Sequence, residues 1–201
     1  MRTATMATMA AAILLAAGAA WAEDPAVGIS KDMPSVTVQT EDGRVVIERI
    51  QDPAHEVTGE WARTSRECPP FCIQPMTPAE GVTTIGELEL LDALQDPDVV
   101  VIDSRTPDWF EGGSIPGAVN VPYLEAVERL PELGCEIGFD QWDCEQAAEI
   151  VLFCNGLWCG RSPTAIRWMI DAGYPPEKIS YYRGGMQSWR VLGLTVTGPG
   201  D

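Results

Sequence analysis

Along this 201-residue chain the hydrophobic positions change their period twice. Between residues 35 and 50 they alternate with polar ones. Ser35-Val36-Thr37-Val38-Gln39 and Val45-Val46-Ile47-Glu48-Arg49-Ile50 read as two strands, and Glu41-Asp42-Gly43 between them reads as a hairpin turn. Residues 51–80 lose the period and hold Cys68-Pro69-Pro70-Phe71-Cys72, Pro75 and Pro78. They predict an irregular segment, stapled by a disulfide and laid over the main domain as cladding. From residue 81 onward, short apolar runs alternate with stretches of helical spacing. Thr84-x-x-Glu87 has the form of a capping box opening a helix with Leu88, Leu91 and Leu94 on one face. Residues 99–102 are uninterruptedly apolar, as a strand buried on both faces requires. Residues 117–121, 150–153 and 179–182 read as further strands. A helix with Leu124, Val127 and Leu130 precedes a loop carrying Cys135 and Cys144. Ser162 as N-cap and Pro163 at the first helical position open another, with Ile166, Met169 and Ile170 on its apolar face. Gly184-Gly185-Met186 leads into a last helical turn that Gly193 ends.

Alternating strands and helices predict an α/β layered domain around a parallel sheet over residues 81–201, preceded by a hairpin and irregular element at 23–80. Ligands bind such sheets at the carboxyl ends of the strands. There the run Glu-Ile-Val-Leu-Phe ends on Cys154, a Gly-containing loop follows, and Arg161-Ser162-Pro163 opens a helix. A thiol facing a ring of backbone N–H groups, a helix N-terminus and an arginine favours its thiolate, with a pKa of roughly 3.5–7.5. Cys154 is therefore the candidate nucleophile.

Composition narrows the partners. The net charge of −17 argues against nucleic acid and anionic membranes, and suits a basic protein partner. Met1-Arg2, the apolar run at 10–17 and the Ala20-Trp21-Ala22 cleavage pattern read as a secretory signal peptide cut after Ala22, which places the chain in the periplasm or outside the cell. All six cysteines lie beyond that cut, and an even count in an exported chain favours disulfides. Proximity pairs Cys68 with Cys72, Cys135 with Cys144, and Cys154 with Cys159. The single histidine, His55, sits in a loop-like stretch, and there is no Cys-x-x-Cys pair. Metal and haem are thus poorly supported, and the chemistry requires no cofactor.

Three stretches, in order, resemble the rhodanese-like sulfurtransferase family. They are Asp103-Ser104-Arg105 through Gly113-Ser114-Ile115-Pro116-Gly117-Ala118-Val119-Asn120-Val121-Pro122, then Cys154 through Ser162, then Tyr182-Arg183-Gly184-Gly185-Met186 with Trp189. The resemblance implies a five-stranded parallel sheet flanked by helices. It also implies a cysteine that takes sulfane sulfur from a small donor as a persulfide and passes it to a thiol or other nucleophile. Carried over, Cys154 holds the persulfide and Arg161 fixes the charge. The loop residues Asn155, Gly156, Leu157, Trp158, Cys159 and Gly160 cradle the substrate, and Ser162 caps the helix behind them. Asp103 and Arg105 orient the loop, and no general base is needed because the thiolate itself attacks. Two features depart from the family pattern: Arg161 lies seven residues after Cys154 instead of five, and the loop holds a second thiol, Cys159. Ser114 also stands where a histidine is common.

Three other readings compete. Cys154 and Cys159 form a thiol–disulfide redox pair that carries no sulfur. The loop with a permanent Cys154–Cys159 staple is a partner-binding surface. A cysteine–arginine phosphatase ranks last, because the spacing is one residue too long and no acid is in evidence.

Overall fold

The computed structural model describes residues 27–198; the apolar leader at 1–22 lies outside them. In chain order the elements are β1 (Ser35–Thr40), β2 (Gly43–Glu48), β3 (Thr83–Ile85), α1 (Glu87–Ala93), β4 (Val99–Asp103), α2 (Pro107–Glu111) and β5 (Val119–Asn120). There follow β6 (Glu136–Ile137), β7 (Trp142–Asp143), β8 (Glu149–Phe153), α3 (Arg161–Ala172), β9 (Ile179–Tyr182) and α4 (Gly185–Val191). Five strands make one all-parallel sheet in the order β3-β9-β8-β4-β5. β1 and β2 form a separate antiparallel hairpin, as their alternation predicts.

Burial follows the pleat of the two central strands. On β8, Ile150 and Leu152 join the layer containing Ala165, Ile166 and Met169 of α3. Val151 and Phe153 join the opposite layer, with Leu90 and Leu91 of α1 and Met186 and Trp189 of α4. Sheet and helices thus form three layers. The hairpin is part of the second layer: Val36, Val38 and Ile47 are buried in the same cluster.

Several local expectations are corrected. Helix α1 opens at Glu87, not at Thr84; Thr84 lies in β3 and its hydroxyl donates to the Met76 carbonyl. The returning carboxylate is Glu89, which accepts the Gly86 N–H at 3.0 Å. The later start rotates the face, so Leu90 and Leu91 are buried and Leu88 is exposed. The helix expected through Leu124, Val127 and Leu130 is a string of turns ending in a 3₁₀ turn at Leu130–Leu133. Leu124 is exposed there, and Pro131 inside that turn prevents continuation. The loop between Cys135 and Cys144 is a small hairpin, β6–β7, closed by their disulfide. No helix of the described residues is long and apolar enough to cross a membrane.

Candidate active site

Cys154 follows the last residue of β8, and the loop from it returns to α3 over the carboxyl edge of the sheet. Two neighbouring elements hold this loop. The first N–H groups of α4 clamp it, Met186 donating to the Cys154 carbonyl and Gln187 to the Asn155 carbonyl, each at 3.0 Å. Gly185 makes the approach possible. It has φ +56°, and a Cβ there would come within 2.3 Å of the Cys154 carbonyl oxygen.

From β4, Arg105 and Asp103 form a fully buried ion pair. Arg105 Nε donates to Asp103 at 2.8 Å, and Arg105 also donates to the Gly113 carbonyl at 2.8 Å and the Asn155 side chain at 3.4 Å. Ser114 donates to Asp103 at 2.7 Å, so the serine keeps the carboxylate fully engaged. The pair reaches the loop through the hydrogen bond from Arg105 to Asn155.

The thiols differ from expectation. Cys154 and Cys159 are both free and buried, 2% and 5% exposed, while Cys68–Cys72 and Cys135–Cys144 are bridged as expected. The Cys154 thiol donates to the Cys159 backbone carbonyl at 3.2 Å, so the two residues are in direct contact. Burial pushes the Cys154 thiol well up, and the neighbouring Cys159 charge adds to this. Cys159 is instead pulled down to about 6, first by the hydrogen bond from Cys154, then by the N–H groups of Arg161 and Asn155 and the charge of Arg161. The two shifts run in opposite directions, and Cys154 is the thiol that keeps its proton, donating it to the Cys159 carbonyl. The N–H cradle expected to receive a substrate anion receives the Cys159 sulfur.

Ser162 is corrected as well. Helix α3 starts at Arg161 with Gly160 as N-cap and no side-chain cap. The Ser162 hydroxyl donates to the Cys154 sulfur at 3.0 Å, and its backbone N–H points to the same atom. Tyr181 on β9 brings a further buried hydroxyl with no hydrogen-bond partner. Desolvation by burial raises its pKa, so it stays protonated as a potential donor.

Leu157 is exposed on the loop, and Trp158 is covered from outside. Trp158 is part-buried under the accessory segment: the Arg66 guanidinium lies 3.8 Å from its ring centroid and Phe71 meets it edge-on at 5.3 Å. Its indole N–H donates to Gln187 at 2.7 Å, and Gln187 in turn donates to the Trp61 carbonyl. The Leu157 carbonyl accepts the Gln74 N–H at 2.8 Å, and the Gln74 side chain covers Gly160. Arg183 ties the segment down through the carbonyls of Gln74 and Pro75. Arg66, Phe71 and Gln74 are site residues that the sequence did not reveal. Their aperiodic stretch carries no signal except the Cys68–Cys72 staple around an aromatic.

Among the described residues no group of three His, Cys, Asp or Glu side chains is placed to hold a metal. Concavities around Asp96, Pro97 and Val99, at the amino ends of β4 and β8, are lined by neither thiol.

Several known proteins are similar to this chain. The HTH-type transcriptional regulator Rv0324 of Mycobacterium tuberculosis is 33% identical over 112 residues, which is 56% of this chain and 43% of that protein. The chain thus spans under half the length of that relative. A sulfurtransferase of Allochromatium vinosum is 29% identical over 119 residues, 59% of this chain and 97% of that protein. Among solved structures, thiosulfate sulfurtransferase from Pseudomonas aeruginosa aligns with 25% identity and a TM-score of 0.43, over 60% of this chain and 21% of that one. The family model of the rhodanese-like domain matches residues 87–191, just over half of the chain and all of the loop, its clamp and its buried ion pair. This chain belongs to the rhodanese-like domain family.

Proposed function

We propose that this protein is a sulfurtransferase in which Cys154 accepts a sulfane sulfur as a persulfide and passes it to a thiol acceptor. The observation that carries this reading is the placement of Cys154. It stands at the end of the central strand β8, its sulfur meets the hydroxyl and N–H of Ser162 at the start of α3, and the domain is of rhodanese-like type. Those two donors can stabilise negative charge that develops on sulfur during transfer.

Cys154 rests as a thiol and needs a base; the neighbouring Cys159, whose thiol is pulled down to about 6, takes that role. Proton transfer from Cys154 to Cys159 generates the attacking thiolate, which bonds to the sulfane sulfur while the rest of the donor leaves with its electron pair. Arg161 holds negative charge at the loop. The site works outside the cytoplasm once residues 1–22 are removed; the signal pattern and the two disulfides support that location.

Peptide mass spectrometry of the reduced protein mixed with thiosulfate or glutathione persulfide tests the assignment. The reading expects added sulfur on the Cys154 peptide and none on the Cys154→Ser variant. Sulfur uptake by that variant at the wild-type level would overturn it. The side-by-side free thiols also favour a second reading, a thiol–disulfide redox pair, which predicts reversible bridging and no sulfur uptake from either donor.

A further inference from the structure

We propose that Cys159 is a second catalytic thiol, an internal acceptor that releases the sulfur carried by Cys154 as hydrosulfide and closes a Cys154–Cys159 disulfide. This rests on the persulfide reading of Cys154 and names the acceptor of the same site.

Reach is the first support. The Cys154 sulfur lies 3.2 Å from the Cys159 carbonyl oxygen, both thiols are buried, and neither is engaged in a disulfide. Seclusion is the second. Both sulfurs lie under a loop whose outer face is clasped by Arg66, Phe71 and Gln74. A bulky thiol must displace that clasp before it touches the persulfide, whereas Cys159 is already in place, and a pre-positioned nucleophile outcompetes one drawn from solution. Placement is the third. The Cys159 sulfur sits on the N–H groups of Asn155 and Arg161 beside the guanidinium of Arg161. Those donors hold the Cys159 sulfur beside Cys154, and the hydrosulfide leaves in line on the opposite side of the Cys154 sulfur.

The atoms and electrons balance with thiosulfate as donor. The Cys154 proton passes to Cys159. The Cys154 thiolate then bonds to the outer sulfur, the sulfur–sulfur bond of thiosulfate breaks, and sulfite leaves with the electron pair. The products are a Cys154 persulfide anion and a Cys159 thiol. Cys159 then attacks the Cys154 sulfur, the Cys154–sulfane bond breaks, and the sulfane sulfur leaves as hydrosulfide carrying the Cys159 proton. The sulfane sulfur is reduced by two electrons, and the two thiols are oxidised to one disulfide. An external dithiol reductant returns the pair to thiols by thiol–disulfide exchange.

A single turnover without added reductant tests this. Reduced full-length protein is mixed with thiosulfate and, in parallel, with glutathione persulfide; hydrosulfide, free thiols and peptide masses are then followed. The expected result is one hydrosulfide per chain, loss of two thiols and a Cys154–Cys159 peptide cross-link. Cys159→Ser and Cys159→Ala should accumulate the Cys154 persulfide and release no hydrosulfide until an external thiol is added. A wild-type protein that holds a stable persulfide and releases no hydrosulfide would overturn this proposal while leaving the sulfurtransferase reading intact. Absence of sulfur uptake from both donors would overturn both. The wild-type arm decides the matter even if a variant fails to fold.

Discussion

At Cys154 and Cys159 a five-residue separation decides which sulfur carries the charge. Cys154 ends a strand and is sealed by the sheet, so desolvation dominates and keeps it protonated. Cys159 lies on the far side of the loop, where backbone N–H groups converge, and takes the negative charge. Alkylation of the reduced protein with iodoacetamide should therefore label Cys159 before Cys154, with a rate that rises with pH through about 6. Prior labelling of Cys154 at pH 7 would contradict the assignment.

The same pair links stability to pH. Cys159 is depressed in the fold, so its contribution is complete above the unfolded thiol value near about 8.5 and is lost as pH falls toward about 6. Cys154 is raised, so its contribution holds below that unfolded value and is lost as pH climbs above it. The stability of the reduced wild type relative to Cys159→Ser should thus grow from pH 6 to pH 8, which urea midpoints at the two values would show. A flat difference would count against the shared-charge picture. Gly185 is the other decisive single residue. Gly185→Ala adds roughly 1–3 kcal/mol of backbone strain, and its new methyl overlaps the Cys154 carbonyl. The variant should lose both stability and sulfur uptake, measured by thermal melting and by mass.

At the scale of elements, the most consequential contact joins the accessory segment to the catalytic loop. Arg66 is held by Glu60 and lies on Trp158, with a side chain only 3% exposed. A desolvated cation–π contact of this kind contributes about 1–2 kcal/mol. Removing it should raise the open population of the clasp by roughly tenfold. Arg66→Ala should accordingly speed alkylation of Cys159 by about that factor and lower the melting temperature by roughly 2–4 °C per kcal/mol lost. Unchanged labelling would mean that the segment does not guard the thiols.

The segment had been expected to serve as cladding, and it does cover the domain. Its aim at the loop was invisible because stacking partners separated by tens of residues leave no period in the sequence. The elements with buried faces were legible for the opposite reason. The apolar runs of β4, β8 and β9 and the spacing of Ile166 and Met169 are local records of where a strand or helix faces the core. The starts of α1 and α3 were misplaced because Thr84 and Ser162, both good caps, find other acceptors: the Met76 carbonyl and the Cys154 sulfur. Side-chain caps are weak, of order 1 kcal/mol, and tertiary partners override them.

At the scale of the molecule, the hairpin and the parallel sheet share one apolar layer. Ile47 is fully buried among Leu90, Val101 and Trp189. Truncation of such a residue costs about 2–5 kcal/mol. Ile47→Ala should therefore lower the melting temperature of the whole protein in one transition, by roughly 2–4 °C per kcal/mol. Calorimetry that resolves two separate transitions would contradict a shared core.

The amino-acid sequence by itself determined the α/β class, the place of the nucleophile candidate at the end of β8, and the proximity of Cys68 to Cys72 and of Cys135 to Cys144 that lets them bridge. These rest on local period, neighbouring cysteines and motifs whose members lie a few residues apart. Only the tertiary structure decided which thiol holds the charge, what Ser162 donates to and which residues close over the loop. Each of those depends on desolvation and on hydrogen bonds between segments distant in the chain, and neither exists until the sheet and its covering layers assemble.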